Sequence, residues 1–168
     1  MNQNAKESLL DLLSSEARAE IDHWVAKYPE DQKQSAVMAA LRIVQDNNQG
    51  HLTNELMDAV AVYLDMPNIA VYEVATFYSM YEHAPVGRHK ICVCNSVSCM
   101  LNGSGGMIDY LQEKLGVKLN EVTTDGKFSI KEVECLGACV GAPAVMIGKD
   151  YYENLTKEKI DQILEELD

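Results

Sequence analysis

The stretch "VECLGACVGAPAV", Val133–Val145, holds two cysteines separated by three residues and closes on a run of small residues. Ahead of it lies "FSIKEVE" and behind it "AVMIG", both rich in β-formers, so Cys135 and Cys139 bracket a loop at a strand end. Gly137 and Ala138 between them lack bulky side chains, so their amides can turn inward and come close to whatever the sulfurs hold. Two thiols hold little by themselves, so the meaning of this loop depends on the rest of the chain.

The other cysteines are Cys92, Cys94 and Cys99, and all five lie after residue 90. Such bunching points to metal or redox chemistry rather than to five small core residues. Written with its gaps, the set is C-V-C-x4-C, then 35 residues, then C-x3-C. Cys94 and Cys99 bracket "NSVS" after the strand-like "HKICV", as Cys135 and Cys139 bracket "LGA". Two such loops at neighbouring strand ends can converge and bring four thiolates together. Zinc favours paired tight knuckles. A 2Fe–2S cluster gives each iron its own pair of cysteines, which the looser x4 and x3 loops suit better. The spacing favours the cluster and leaves a structural zinc module as the alternative. Cys92 faces the same side of its strand as Cys94 and is expected to be a core residue. A thiol oxidoreductase using Cys92 and Cys94 is a third reading, weakened by the lack of a C-x-x-C pair.

The totals set the frame. A chain of 168 residues, 47% of them apolar, can bury a core without staples, removing roughly 70% of its unfolded surface from water. No apolar run approaches the ~20 residues that cross a bilayer. The start, "MNQNAKESLL", is polar and lacks a secretion-signal pattern, so a cytoplasmic protein without direct membrane insertion is expected. The net charge is −12, and both halves are acidic, which excludes the basic footprint of a nucleic-acid binder.

Two textures divide the chain, with "EHAPVGRHK" (Glu82–Lys90) between them, and the expected domains are residues 1–84 and 85–168. The first reads as a small bundle of four helices. One runs from Glu7 to Tyr28 with Leu9, Leu10, Leu13, Ala17, Ile21, Trp24 and Val25 on a face, and Pro29 stops it. A second starts near Lys33 and buries Val37, Met38, Leu41, Ile43 and Val44, ending at Gly50. Thr53 caps a third, with Leu56, Met57, Val60 and Leu64 inward. After Pro67 comes a fourth, with Ile69, Val71, Val74, Phe77 and Tyr78. The second half is α/β. It comprises the strand "HKICVC", a helix with Met107, Ile108, Leu111 and Leu115, a hairpin turning at Asp125-Gly126, the strand "AVMIG", and a Thr156-capped helix with Ile160, Ile163, Leu164 and Leu167.

Four stretches together resemble a known family: "VATFYSMY" (Val74–Tyr81), "PVGRHKICVCNSVSCMLNGS" (Pro85–Ser104), "TTDGKFSIKEVECLGACVGAPAV" (Thr123–Val145) and the closing helix. They resemble the E-subunit family of NADH:quinone oxidoreductase, the thioredoxin-like ferredoxin component of respiratory complex I. The resemblance implies a helical bundle followed by a thioredoxin-like α/β domain. It also implies a 2Fe–2S cluster ligated by Cys94, Cys99, Cys135 and Cys139, with no ligand role for Cys92. The implied partners are a flavoprotein subunit that binds NADH and FMN, with whose FMN the cluster exchanges electrons, and the neighbouring iron–sulfur subunit. The complex would hold the chain peripherally on the inner face of the cell membrane. Related subunits of NAD-linked hydrogenases and formate dehydrogenases share these motifs, and the absence of further modules favours complex I.

The remaining features are quieter. His23, His51, His83 and His89 stand apart from the cysteines and are read as surface or packing residues. "NGSGG" (Asn102–Gly106) lacks the G-x-G-x-x-G spacing and reads as a helix start crowding the cysteine loop. No flavin or nucleotide fingerprint and no nucleophile–base set appears, so no catalytic residues are assigned and the chain is not expected to oxidise NADH alone. Trp24, Tyr78 and Tyr81 are candidates for a docking surface or for core. The loops Asn95–Ser98 and Leu136–Ala138 are expected to face the partner.

Overall fold

The structure, a computed structural model, describes residues 3–167; the first two residues of the polar start and the last residue of the second expected domain lie outside the described residues. The chain divides into two compact units, Met1–Pro85 and Val86–Asp168.

The first unit is helical. The single helix expected from Glu7 to Tyr28 is two: α1 (Gln3–Leu10) and α2 (Ser15–Val25). Ser14 causes the break. Its backbone is extended, and its hydroxyl accepts a hydrogen bond from the Ala17 amide at 3.1 Å, which starts a new helix instead of continuing the old one. After Pro29 the chain makes a 3-10 segment, Glu30–Ala36, so α3 spans Val37–Asn47 rather than starting at Lys33. Its Val37, Leu41, Ile43 and Val44 are buried, whereas Met38 is exposed. Helix α4 (Asn54–Leu64) begins at the predicted cap, where Thr53 Oγ1 accepts from the Leu56 amide at 3.3 Å, and all four of its predicted inward residues are buried. Helix α5 (Asn68–Phe77) departs most from expectation. Only Val71 and Ala75 are buried, while Ile69 and Phe77 are 65% and 79% exposed. Tyr78 is exposed as well. Tyr81 belongs to the core: it is buried and donates its hydroxyl to Met38 O at 2.8 Å, which removes it as a docking candidate.

The second unit is built round β1 (His89–Cys94), buried along Ile91–Cys94. The sheet order is β2-β1-β3-β4, with β2 at Phe128–Val133, β3 at Val145–Ile147 and β4 at Asp150–Tyr152. Strand β2 runs parallel to β1, while β3 and β4 are antiparallel additions on the other side. Parallel pairing needs a long crossover. It is supplied by α6 (Val97–Leu101) and α7 (Ser104–Leu115). The expected turn at Asp125-Gly126 is present, with Gly126 at φ 74° and the Thr123 amide donating to Phe128 O at 2.9 Å across it. Its first arm is short and makes one antiparallel bridge, Val122 to Ser129, on β2, whose other edge pairs with β1. Gly87 lies so close to β2 that a Cβ there would run into the backbone of Phe128 and Ser129, and its amide donates to Ser129 Oγ at 3.0 Å. Helix α8 (Lys157–Glu166) starts at the predicted Thr156 cap. Ile91, Val93, Leu111, Ile130, Val145, Ile147 and Ile160 form the core of this unit. Leu115 and Leu167 are half-buried at its margin.

Candidate metal centre

The register of the sheet delivers the cysteines. Cys94 is the last residue of β1, opposite Val133 of β2, and the ladder continues as Asn95 N–H donates to Val133 O at 3.1 Å. Both chains therefore leave the sheet at the same end. From β2 the chain enters the Cys135–Cys139 loop, and from β1 it enters α6. The loop expected between Cys94 and Cys99 is thus partly helical, with Cys99 on the inner side of that short helix. None of the five cysteines is in a disulfide. Cys94 and Cys99 are buried with Ala144, and Leu136 and Ala138 of the second loop, with Ala142 just beyond it, pack against them. Cys135 and Cys139 are exposed, with their sulfurs 3.9 Å apart. Among the described residues, no three ligand-type side chains converge on a single ion position. The arrangement is two adjacent pairs. Cys92 is buried in β1, paired in register with Lys131 and Met146.

Backbone donors surround the sulfurs. Gly137, in the left-handed region at φ 80°, turns its amide onto Cys135 Sγ at 3.3 Å. Burial by itself would raise the Cys94 thiol, but hydrogen bonds from the Ser96 and Leu136 amides, Cys99 and the Ser96 side chain hold it below the ordinary thiol range. Burial and its hydrogen bond to Cys94 push the Cys99 thiol up, against the Ala144 amide, and charge on Cys94 or Cys139 pushes the same way. Two sulfur pairs with inward amides fit a 2Fe–2S cluster, whose sulfurs take N–H donors.

Polar residues the sequence reading did not single out hold this frame. Asn95 Nδ2 donates to Glu132 Oε1 at 2.7 Å, and its Oδ1 accepts from the fully buried Ser104 hydroxyl at 2.6 Å. Ser96 Oγ donates to Glu134 Oε2 at 3.1 Å. The alternation Glu132-Val133-Glu134 is visible in the sequence, but its meaning depends on β2 lying parallel beside β1. "NGSGG" starts α7 at Ser104, so this glycine-rich segment ties the helix to the cysteine loop. Near the cysteines in the chain, Val97, Met100 and Leu101 of α6 and Val140 are exposed.

The site and the α/β layout define an electron-transfer protein of the thioredoxin-like iron–sulfur class. The chain belongs to the thioredoxin-like [2Fe-2S] ferredoxin family, whose model matches residues 21–168, and within it to the E subunits of NADH-quinone oxidoreductases. The NADH-quinone oxidoreductase E subunit of Rickettsia bellii is 48% identical over 143 residues, covering 85% of this chain and 86% of that protein. The second such E subunit of Rhizobium meliloti is 42% identical over 148 residues, covering 88% and 86%. Among solved structures, an air-oxidised NAD+-reducing [NiFe]-hydrogenase superposes with a TM-score of 0.68 at 20% identity. That match covers 83% of this chain and 24% of the hydrogenase chain, and it shows the shared fold.

Proposed function

We propose that the chain is an electron-transfer subunit of an NADH–quinone oxidoreductase, holding one 2Fe–2S cluster on Cys94, Cys99, Cys135 and Cys139. The observation that carries this is the meeting of two cysteine pairs at the ends of parallel neighbours β1 and β2, with the Gly137 amide turned onto Cys135. Such a cluster supplies reversible one-electron transfer. The chain's own residues hold the sulfurs, donate amide hydrogen bonds to them and exclude water from the inner pair. Residues 1–84 form the helical bundle domain and residues 85–168 the cluster domain.

The partner is a flavoprotein subunit carrying FMN and NADH, with a neighbouring iron–sulfur subunit beyond it. Val97, Met100 and Leu101 on α6, with Cys99, and Val140, next to Cys139 in the chain, are exposed apolar residues, which suits a protein partner better than open water. Docking there brings the loops Asn95–Ser98 and Leu136–Ala138 towards the flavin. No helix of the described residues is long and apolar enough to cross a membrane, so attachment to the inner face of the cell membrane would come through the complex.

Anaerobically purified protein should be reddish-brown and reducible, with two irons and two sulfides per chain. Colourless protein with one zinc would establish the zinc module instead. Mixed with its flavoprotein partner, the cluster should be reduced by NADH. Reduction without that partner would overturn the assigned division of labour.

A further inference from the structure

Gly141 closes the short 3-10 turn Cys139–Gly141 and is buried. Its backbone lies outside the left-handed region, so conformation alone does not demand a glycine there. The side chain of Glu153 does. A Cβ at position 141 would overlap Glu153 Oε2 and stand 2.5 Å from Glu153 Cβ, so the glutamate fills the space an alanine would need. The main chain ties the same two segments together. Asn154 N–H donates to Gly141 O at 2.6 Å, and Leu155 N–H donates to Pro143 O at 3.2 Å. Glu153 itself is anchored from behind, where its carbonyl accepts from Lys159 Nζ of α8, and Leu155 is buried in the core of the unit.

We propose that Glu153, seated over Gly141, is a positioning residue for the cluster and sets the turn that presents the Cys139 sulfur. The inference rests on the ligand set proposed above. Cys135 is held from within its own loop, by the Gly137 amide. Cys139 instead begins a turn whose far end is fixed by the segment between β4 and α8. A ligand on a turn that is already set does not have to be ordered when the cluster binds, which is how supporting residues strengthen a metal site. The fit is steric, so the shape of Glu153 matters and its charge does not.

The test uses the reconstituted full chain as wild type, Gly141→Ala, Glu153→Gly and the double variant. It reads the EPR spectrum of the reduced cluster and the iron retained against a chelator. Gly141→Ala forces the two segments apart and Glu153→Gly empties the space between them, so each should shift the g-values and lower iron retention about tenfold. The double variant puts a methyl group where the glutamate stem stood and should recover both readouts towards wild type, whereas independent damage to the fold would add. A wild-type spectrum and iron retention in either single variant, or summed losses in the double, would overturn the inference. Glu153→Gln keeps the shape without the charge and should match wild type; iron loss there would assign the effect to charge and refute the steric fit. Should Gly141→Ala fail to fold, iron loss in Glu153→Ala but not in Glu153→Gln supports the inference, and equal behaviour of the two refutes it. Each of these refutations leaves the wild-type cluster and its ligand set standing, whereas iron-free wild-type protein overturns both.

Discussion

Replacing Ser104 with alanine removes one hydroxyl and tests whether the cysteine frame is held from α7. Ser104 is fully buried and donates to Asn95 Oδ1 at 2.6 Å, while Asn95 Nδ2 donates to Glu132 at 2.7 Å. The substitution changes little volume but leaves the Asn95 oxygen without its donor in a half-buried setting. Such a loss costs about 1–2 kcal/mol. For a unit of this size each kcal/mol lowers the unfolding midpoint by about 4–8 °C, so calorimetry of the full chain should show a drop on the order of 8 °C in the transition of residues 86–168. Asn95→Ala breaks the same contact from the other side, so the double variant should fall short of the sum by about 1 kcal/mol. The loosened loop should also admit an alkylating reagent sooner to Cys94 and Cys99, which the intact fold buries, than to the same residues in wild type. A midpoint within 1 °C of wild type, or strict additivity with Asn95→Ala, would refute the reasoning.

Three further outcomes follow from the proposed ligand set and the burial pattern. Cys139→Ala should abolish or severely destabilise the cluster, because one iron loses a thiolate, while Cys92→Ala should keep the visible spectrum. Bleaching of the Cys92 variant would reassign the ligands. Burial raises the Tyr81 phenol to about 12, with charge on Tyr78 adding to the rise. Because the folded value lies above the ordinary tyrosine value, the stabilisation is full below about 10 and is lost as pH climbs through about 12. Ultraviolet titration should therefore lose a late-ionising component in Tyr81→Phe, and an unchanged curve would contradict the buried placement.

Local signals carried far in this chain because their causes are local. A threonine followed by an apolar stripe starts α4 and α8 at Thr53 and Thr156, since the cap bond spans three residues. The stripe Leu56, Met57, Val60, Leu64 is buried for the same reason: helical spacing by itself puts those residues on one face. The cysteine spacing likewise marked iron–sulfur chemistry, and the family match agrees with that reading. Where expectation failed, helical periodicity met a competitor, local at Ser14 and long-range at α5. Ser14 ends one helix and starts another because its own hydroxyl competes for the Ala17 amide. Ile69 and Phe77 of α5 follow a helical stripe, yet the bundle covers only Val71 and Ala75.

From sequence alone, then, come the helix starts and the α/β change after the boundary segment, governed by neighbours within a few residues, and the sulfur chemistry, marked by the cysteine spacing. The tertiary structure alone decided that β2 lies parallel beside β1, because that pairing joins residues nearly forty apart through the α6–α7 crossover. From that single pairing follow the buried inner thiols and the exposed outer ones. It also brings Glu132 and Glu134 to Asn95 and Ser96, contacts that no spacing in the chain announces.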